Sequence, residues 1–338
     1  MSWFTTRGVE IIGMAASVSN NKIDEAANKN KYGEDTVNKF IKNTGIRERF
    51  VVTLPQTASD LGVDAANRLL NALDIKREEI GVLLYVTLSP DYRRPATSTV
   101  MQMRLGLSND CSCMDIGHGC AGFLYGHQVM MSLLSQCESM YGLVILGDNL
   151  SVLQNPDEYQ SMMFGDAASA VIYRKSSGCT NNTLLKTDGS GYRSIFSPGG
   201  GFKDLHGSLG FYMDGMSVFQ FATSEVLESI REYLIKTNSD IDQYDFVAFH
   251  QANKSILRIL TKEIGADEER VGISLDRYGN TSGSSIPLTI CDRYGYAENG
   301  KLNVLAVGFG VGLAWGVTSY TISSDRILPI ARTDELYI

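Results

Sequence analysis

Cys120 sits in the segment Asp115-Ile-Gly-His-Gly-Cys-Ala-Gly-Phe-Leu-Tyr-Gly126. Glycines at 117, 119 and 122 permit a sharp turn. The apolar run from Val129 to Leu134 then continues as a helix, so the pattern predicts a thiol at a helix N-terminus. There the helix dipole and free N–H groups favour thiolate. The same N–H groups can hold an oxyanion that develops when the sulfur attacks an acyl carbon. The chemistry on offer is nucleophilic acyl transfer. A buried structural cysteine, the commoner state of a thiol, fits the same residues.

Two more segments carry polar side chains where chemistry is often placed. Phe246-Val-Ala-Phe-His-Gln-Ala-Asn253 reads as a buried strand that ends in His250, so the imidazole emerges at a strand's C-terminal edge. Ligands bind at that edge in open α/β sheets. Tyr278-Gly-Asn-Thr-Ser-Gly-Ser-Ser285 sets Asn280 in a glycine- and hydroxyl-rich turn before an apolar helix. Taken singly, a histidine is more often a satisfied core residue and such an asparagine a turn former. Cys111-Ser-Cys113 lacks a second pair at zinc-finger spacing, so no metal site is expected. Gly308-Phe-Gly-Val-Gly312 lacks the strand, GxGxxG and helix of a dinucleotide site.

Short apolar runs must position these groups. Val82–Val86, Leu143–Leu146, Ala170–Tyr173, Phe246–Phe249 and Val304–Val307 do not alternate, which predicts strands covered on both faces by helices. Leu61, Ala65, Leu69 and Leu73 repeat every four residues behind a Thr57/Asp60 capping box. Further amphipathic helices are expected over 218–234 and 256–264. The longest apolar run, Val304 to Val317, holds four glycines and is too short to span a bilayer, so it reads as a buried strand and turn. Of 338 residues 33 are glycine, which suits an enzyme with loops folded round a substrate. A net charge of −8 argues against a broad nucleic-acid surface. Six cysteines and no secretory pattern at the N-terminus predict a reduced, cytoplasmic protein off the membrane. The polar stretch 176–183 is the best seam for two halves, 1–176 and 177–338.

Taken together and in order, these segments resemble the Cys-His-Asn site of the thiolase-fold condensing enzymes, specifically β-ketoacyl-acyl-carrier-protein synthase III. Thr44-Gly-Ile-Arg-Glu-Arg49, Gly119-Cys-Ala-Gly-Phe123, Phe164-Gly-Asp-Ala-Ala168, His250-Gln-Ala-Asn253, Gly279-Asn-Thr-Ser282 and the glycine-rich Gly308–Gly316 carry the resemblance over nearly the whole chain. It implies an α/β chain of two pseudo-repeated halves in a five-layer α-β-α-β-α sandwich, paired as a homodimer. It implies that Cys120 holds an acyl group. His250 and Asn280 would bind the malonyl thioester carbonyl as CO₂ leaves. The N–H groups of Cys120 and Val311 would form the oxyanion hole. Phe309 would shape the chamber, with Arg94 of the second subunit at its floor. No cofactor is implied beyond the carriers of the two thioesters.

The implied partner, acyl carrier protein, is acidic. Lys254, Arg258 and Lys262 recur every four residues on one expected helix face and form a candidate docking patch, although a solvated face has the same pattern. Where the family often has a tryptophan against coenzyme A this chain has Lys39, and where it often has an arginine it has Ser255. His118 reads as a turn residue without a catalytic role. Three rival functions remain open: acyl transfer to an alcohol or amine on the same fold, a papain-like hydrolase, and a non-catalytic binding subunit. Asn280 argues against the first, because a neutral donor suits an enolate. The missing C-G-[SA]-C-[WY] signature argues against the second.

Overall fold

The computed structural model describes residues 2–337. Its main sheet has nine strands: β1 Ser2–Val18, β2 Ile80–Val86, β3 Ser112–Ile116, β4 Tyr141–Asp148, β5 Ala167–Thr187, β6 Phe246–Phe249, β7 Lys301–Gly310, β8 Ala314–Ser323 and β9 Ala331–Arg332. The order runs β6-β7-β8-β5-β4-β2-β3, with β1 paired to β5 and to β9. All five apolar runs lie in strands, and β2, β6 and most of β4 and β7 are buried on both faces. The run 304–317 is a pair of antiparallel strands, β7 and β8, rather than one strand and a turn.

The polar stretch 176–183, expected as a connection, is strand. It lies inside β5, which pairs with β1 from Ala167 to Lys175 and again from Thr180 to Leu185. At the bend between these stretches Gly178 has φ +91° and Gly8 opposite has φ +78°, a conformation that favours glycine. Both long strands thus pass from one layer of sheet into the other, and polar side chains are tolerated where the pair crosses. The boundary at 176 falls within this strand.

Helices fill three layers around the two sheet layers. On one outer side α2, Ala58–Ala72, packs against β1, β4 and β5. Its capping box forms as the sequence indicates, with the Thr57 N–H donating to Asp60 at 2.9 Å. In the middle lie α3, Gly122–Gln136, and α7, Ser285–Tyr294. On the other outer side α4, Gly215–Phe221, runs through a π-turn over Ala222–Val226 into α5, Leu227–Thr237, beside α6, Lys254–Glu263. This helix is longer than the amphipathic stripe of 218–234, because Asp214 caps it through the Met216 and Ser217 N–H groups. Three apolar clusters fill the gaps between the layers. In β2, Leu83 and Tyr85 face the outer helices while Val82, Leu84 and Val86 face the central pair. The result is the five-layer α-β-α-β-α sandwich of the thiolase fold.

A buried ion pair ties the catalytic turns to this frame. Arg49, 8% exposed, bonds through Nε to fully buried Glu25 and donates from Nη1 to the Phe164 carbonyl at 3.1 Å. Gly165 N–H in turn donates to the Asn280 carbonyl (3.1 Å), and the Asn280 N–H to the Met163 carbonyl (3.0 Å). Burial raises the Glu25 carboxyl and Arg49 opposes that shift. Removing the guanidinium leaves Glu25 buried without its partner. Arg49→Ala is therefore expected to lose about 3–5 kcal/mol of stability, read by urea denaturation. A loss under 1 kcal/mol would show that the pair does not anchor this turn.

Candidate active site

Cys120 lies in the turn after β3, directly before the Ala121 cap of α3. The turn is compressed from the far side of the molecule. A Cβ built on Gly310 would stand 2.5 Å from Cys120 Cβ and 3.1 Å from its sulfur, and one on Gly308 would be 3.3 Å from Ala121 Cα. The glycines of the 308–312 run thus let β7 lie flat on the nucleophile.

His250 follows the last residue of β6, as the strand pattern predicts, and its N–H donates to the Val307 carbonyl at 2.8 Å. Its Nδ1 is 2.8 Å from Ser285 Oγ. The Gln251 N–H points at the same oxygen (3.5 Å), so Ser285 holds the ring from its Nδ1 side. Phe309 meets the ring edge-on, centroids 5.5 Å apart. Burial holds the imidazole down to about 3, so it is neutral throughout the working range. Asn280 Oδ1 accepts the Ser282 N–H at 2.9 Å, which leaves its NH₂ end free to donate.

The three side chains line one cavity of about 50 Å³ together with Ser282, Phe309 and Val311, under apolar walls that include Leu88, Phe164 and Met213. A larger hollow of about 340 Å³ lies elsewhere, around buried His127 and Tyr320, and shares no residue with the site. The smaller cavity gathers Cys120, His250 and Asn280, so it is the candidate active site. Burial pushes the Cys120 thiol up to about 12, and the Asp148 carboxylate adds to the shift. The N–H groups of Cys120 and Val311 oppose it from beside the sulfur. The resting group is therefore a thiol and not the thiolate that the helix N-terminus alone suggests: in this apolar enclosure desolvation outweighs the dipole.

Other sequence candidates fall outside the cavity lining. Arg94 is exposed on the loop before α-helical residues Thr97–Arg104, away from its own chain's cavity. Lys254, Arg258 and Lys262 are all exposed on α6. That helix starts at the cavity wall, since Asn253 lines the cavity and also caps α6 through the Ile256 N–H at 2.9 Å. Lys39 is exposed on α1, Glu34–Thr44, which packs against α6, and Ser255 Oγ donates to the Asn43 carbonyl at 3.3 Å. His118 stacks on Tyr125, centroids 4.0 Å apart. No group of metal-binding side chains occurs among the described residues, and Cys111 and Cys113 are free thiols. Sequence reasoning missed Asp148, which sits buried where β4 ends. The signal was present, because a charged residue closing an apolar run also marks a strand edge.

A thiol, a neutral imidazole and a carboxamide gathered in one largely apolar cavity of this sandwich define a condensing enzyme of the thiolase fold. Comparison with known proteins narrows the class. Residues 114–189 match the family model for 3-oxoacyl-[acyl-carrier-protein (ACP)] synthase III, and residues 234–322 match that for its C-terminal part. The chain is 34% identical over 297 residues to beta-ketoacyl-[acyl-carrier-protein] synthase III of Clostridium perfringens, covering 83% of this chain and 90% of that one. It is 33% identical over 322 residues to the Clostridium acetobutylicum protein of the same name, covering 91% and 97%. The crystal structure of a 3-oxoacyl-(acyl-carrier protein) synthase from Burkholderia xenovorans superposes with a TM-score of 0.93 at 29% identity, over 98% of this chain and 99% of the other. This chain belongs to the β-ketoacyl-acyl-carrier-protein synthase III family. It is a transferase that performs the family's ketoacyl condensation, in fatty acid or related biosynthesis.

The close approach of β7 gives a direct test of the site. Gly310→Ala puts a methyl where the nucleophile stands, and a misplacement near 1 Å costs about 10² in rate. Acyl loading of Cys120 is expected to fall by at least that factor while the far-ultraviolet circular dichroism stays unchanged. Loading within threefold of the parent would show that the contact is slack.

Proposed function

We propose that Cys120 takes an acyl group from a thioester primer and that His250 and Asn280 then drive the decarboxylative attack of malonyl-acyl carrier protein on it. The arrangement that carries this reading is the pairing of two neutral side chains that can donate, the imidazole of His250 and the NH₂ of Asn280, in the cavity of the thiol. As CO₂ leaves the malonyl group, charge collects on the thioester oxygen as an enolate. Neutral donors in a low-dielectric cavity stabilise that charge, whereas a carboxylate would repel it. The enolate carbon then attacks the acyl-Cys120 carbonyl, whose oxygen is received by the N–H groups of Cys120 and Val311. The tetrahedral intermediate collapses with the new carbon–carbon bond in place and expels the Cys120 thiolate, which takes up one proton from solvent to restore the thiol. The reaction as written uses no cofactor beyond the two carriers. The halves 1–176 and 177–338 divide the work, the first supplying the nucleophile and the second the donors and Phe309.

The protein acts in this reading as a cytoplasmic homodimer. Its six cysteines stand as free thiols, as a reducing compartment keeps them. No helix of the described residues is long and apolar enough to cross a membrane. Strand β3 ends the sheet with one edge unpaired, and a second copy is the natural cover for such an edge. Exposed Arg94 would reach the chamber of the partner.

Two experiments test the reading. After incubation with acyl thioesters, mass spectrometry should find the acyl mass on the peptide holding Cys120 and on no other cysteine. Release of CO₂ from malonyl-acyl carrier protein should fall about 10²–10³-fold in His250→Ala and in Asn280→Ala, with Cys120 still able to load. Full CO₂ release by Asn280→Ala would favour acyl transfer to an alcohol or amine instead. Carrier docking has its own check. Because charge pairing is screened beyond about 8 Å at physiological ionic strength, reversal of Arg258 or Lys262 to Glu should impair carrier-borne substrates and leave small free thioesters unaffected. Equal effects on both would make the α6 face an ordinary solvated one.

A further inference from the structure

Acylation of Cys120 moves a proton as well as an acyl group. The sulfur forms a bond to the acyl carbon, the bond from that carbon to the carrier sulfur breaks, and the thiol proton must end on the departing thiolate. His250 is a weak stopping point for it, since burial keeps the ring neutral down to about pH 3. Behind the sulfur lies a second buried group. Asp148 is 1% exposed, and its Oδ1 accepts from the Leu88 N–H (2.7 Å), the Thr87 hydroxyl (3.0 Å) and the Ser89 hydroxyl (3.3 Å). Its Oδ2 is buried without a partner, and so is Ser282 Oγ. Ser282 shares the cavity wall with Cys120 and is held at φ +53°, unusual for a residue with a side chain. Its hydroxyl stands 3.2 Å from a Cβ placed on Gly119, the residue before the nucleophile. From there it stabilises the charged form of both the sulfur and the Asp148 carboxylate, although it completes a hydrogen bond to neither at rest.

We propose that the Ser282 hydroxyl relays the Cys120 proton to Asp148 Oδ2 during acylation and returns it to the leaving thiol. As Sγ attacks the thioester carbonyl its S–H bond breaks, Ser282 takes that proton, and the serine's own proton passes to the carboxylate. When the tetrahedral intermediate expels the carrier thiolate, the chain runs backwards and protonates it. No electron or proton is left over. In this relay Ser282, which lines the same cavity wall as Cys120, takes the sulfur's proton directly and is the catalytic residue of the pair, while Asp148 acts through it.

The surroundings suit this role. Desolvation lifts the Asp148 carboxyl to about 6, well above the imidazole and near the working range of a base. The titratable groups that face it are Cys120 and the buried Tyr85, with Asp91 and Asp115 beyond, and none of these is a cation. Arg104 is engaged by Asp91 at 3.1 Å and by Ser59. Protonating Asp148 also removes a negative charge that opposes formation of the thiolate. A scaffold role for Asp148 accounts for the three bonds to Oδ1. It leaves both the orphaned Oδ2 and the strained, unpartnered serine unexplained.

The inference rests on Cys120 being the acyl acceptor, and one experiment separates the two. Single-turnover loading of Cys120 by an acyl N-acetylcysteamine thioester is followed by mass spectrometry between pH 5 and 9, with thermal melting as a check on folding. The parent enzyme should load with a rise that inflects near pH 6 and then levels, because the ionised carboxylate is the acceptor. Asp148→Asn should load about 10²-fold more slowly at pH 7, lose the inflection and gain rate steadily with pH as free thiolate takes over. Ser282→Ala should lose at least tenfold. The inference is overturned if either folded variant loads within threefold of the parent, or if Asp148→Asn keeps the inflection. Should Asp148→Asn fail to fold, the Ser282→Ala rate decides alone. If the parent itself takes no acyl group, the reading of Cys120 falls first.

Discussion

The main chain of β7 lies against Cys120 with no side chain between them, and the rest of the site depends on that contact. Cys120 belongs to the turn after β3, and His250 and Asn280 belong to loops after β6 and before α7. Those elements sit in different sheet layers. They share a cavity only because Gly308 and Gly310 let the second layer close on the first, at distances where a Cβ would collide. Gly165 does the same one turn away, since a Cβ there would overlap the Tyr278 carbonyl. Tight closure also surrounds these groups with apolar walls, which sets the electrostatics of the site.

In that apolar space charge is scarce. The imidazole is neutral, the carboxamide is neutral, and the resting thiol holds its proton. A condensing enzyme gains from this, because its transition states carry negative charge that appears only briefly and must meet donors already in place. The donors are fixed from behind by groups that take no part in bonding to substrate. Ser285 holds the His250 ring at Nδ1, the Ser282 N–H occupies the Asn280 carbonyl oxygen, and the Arg49–Glu25 pair holds the Phe164 turn against which Asn280 is bonded. The buried Asp148 is the exception to this neutrality, which is why its free oxygen invites a chemical role.

Much of this was legible in the residues. Unbroken apolar runs marked the covered strands, the four-residue stripe behind Thr57 marked α2, and the ending of a strand at His250 marked the edge where ligands bind. These signals are local, so one stretch of sequence carries each of them. The bend at Gly8 and Gly178 was not legible, because it arises from two strands 170 residues apart that twist together as they change layers. Polar residues there looked like a connection for the same reason: periodicity reports the faces of one layer and cannot describe a strand that serves two.

The sequence by itself determined the class of fold and singled out Cys120, His250 and Asn280 as candidates, since each sits in a short motif whose turn and strand signals do not need the rest of the chain. Tertiary structure decided the charge state of those groups. A helix N-terminus argues for thiolate and a free histidine for partial protonation at neutral pH, but both preferences are overridden by desolvation. Desolvation is set by what closes over a residue from elsewhere in the chain, here β7 and the apolar cavity walls. The same long-range closure brought Ser282 and Asp148 to the back of the sulfur, 162 and 28 residues from it in the chain, where no spacing rule could have placed them.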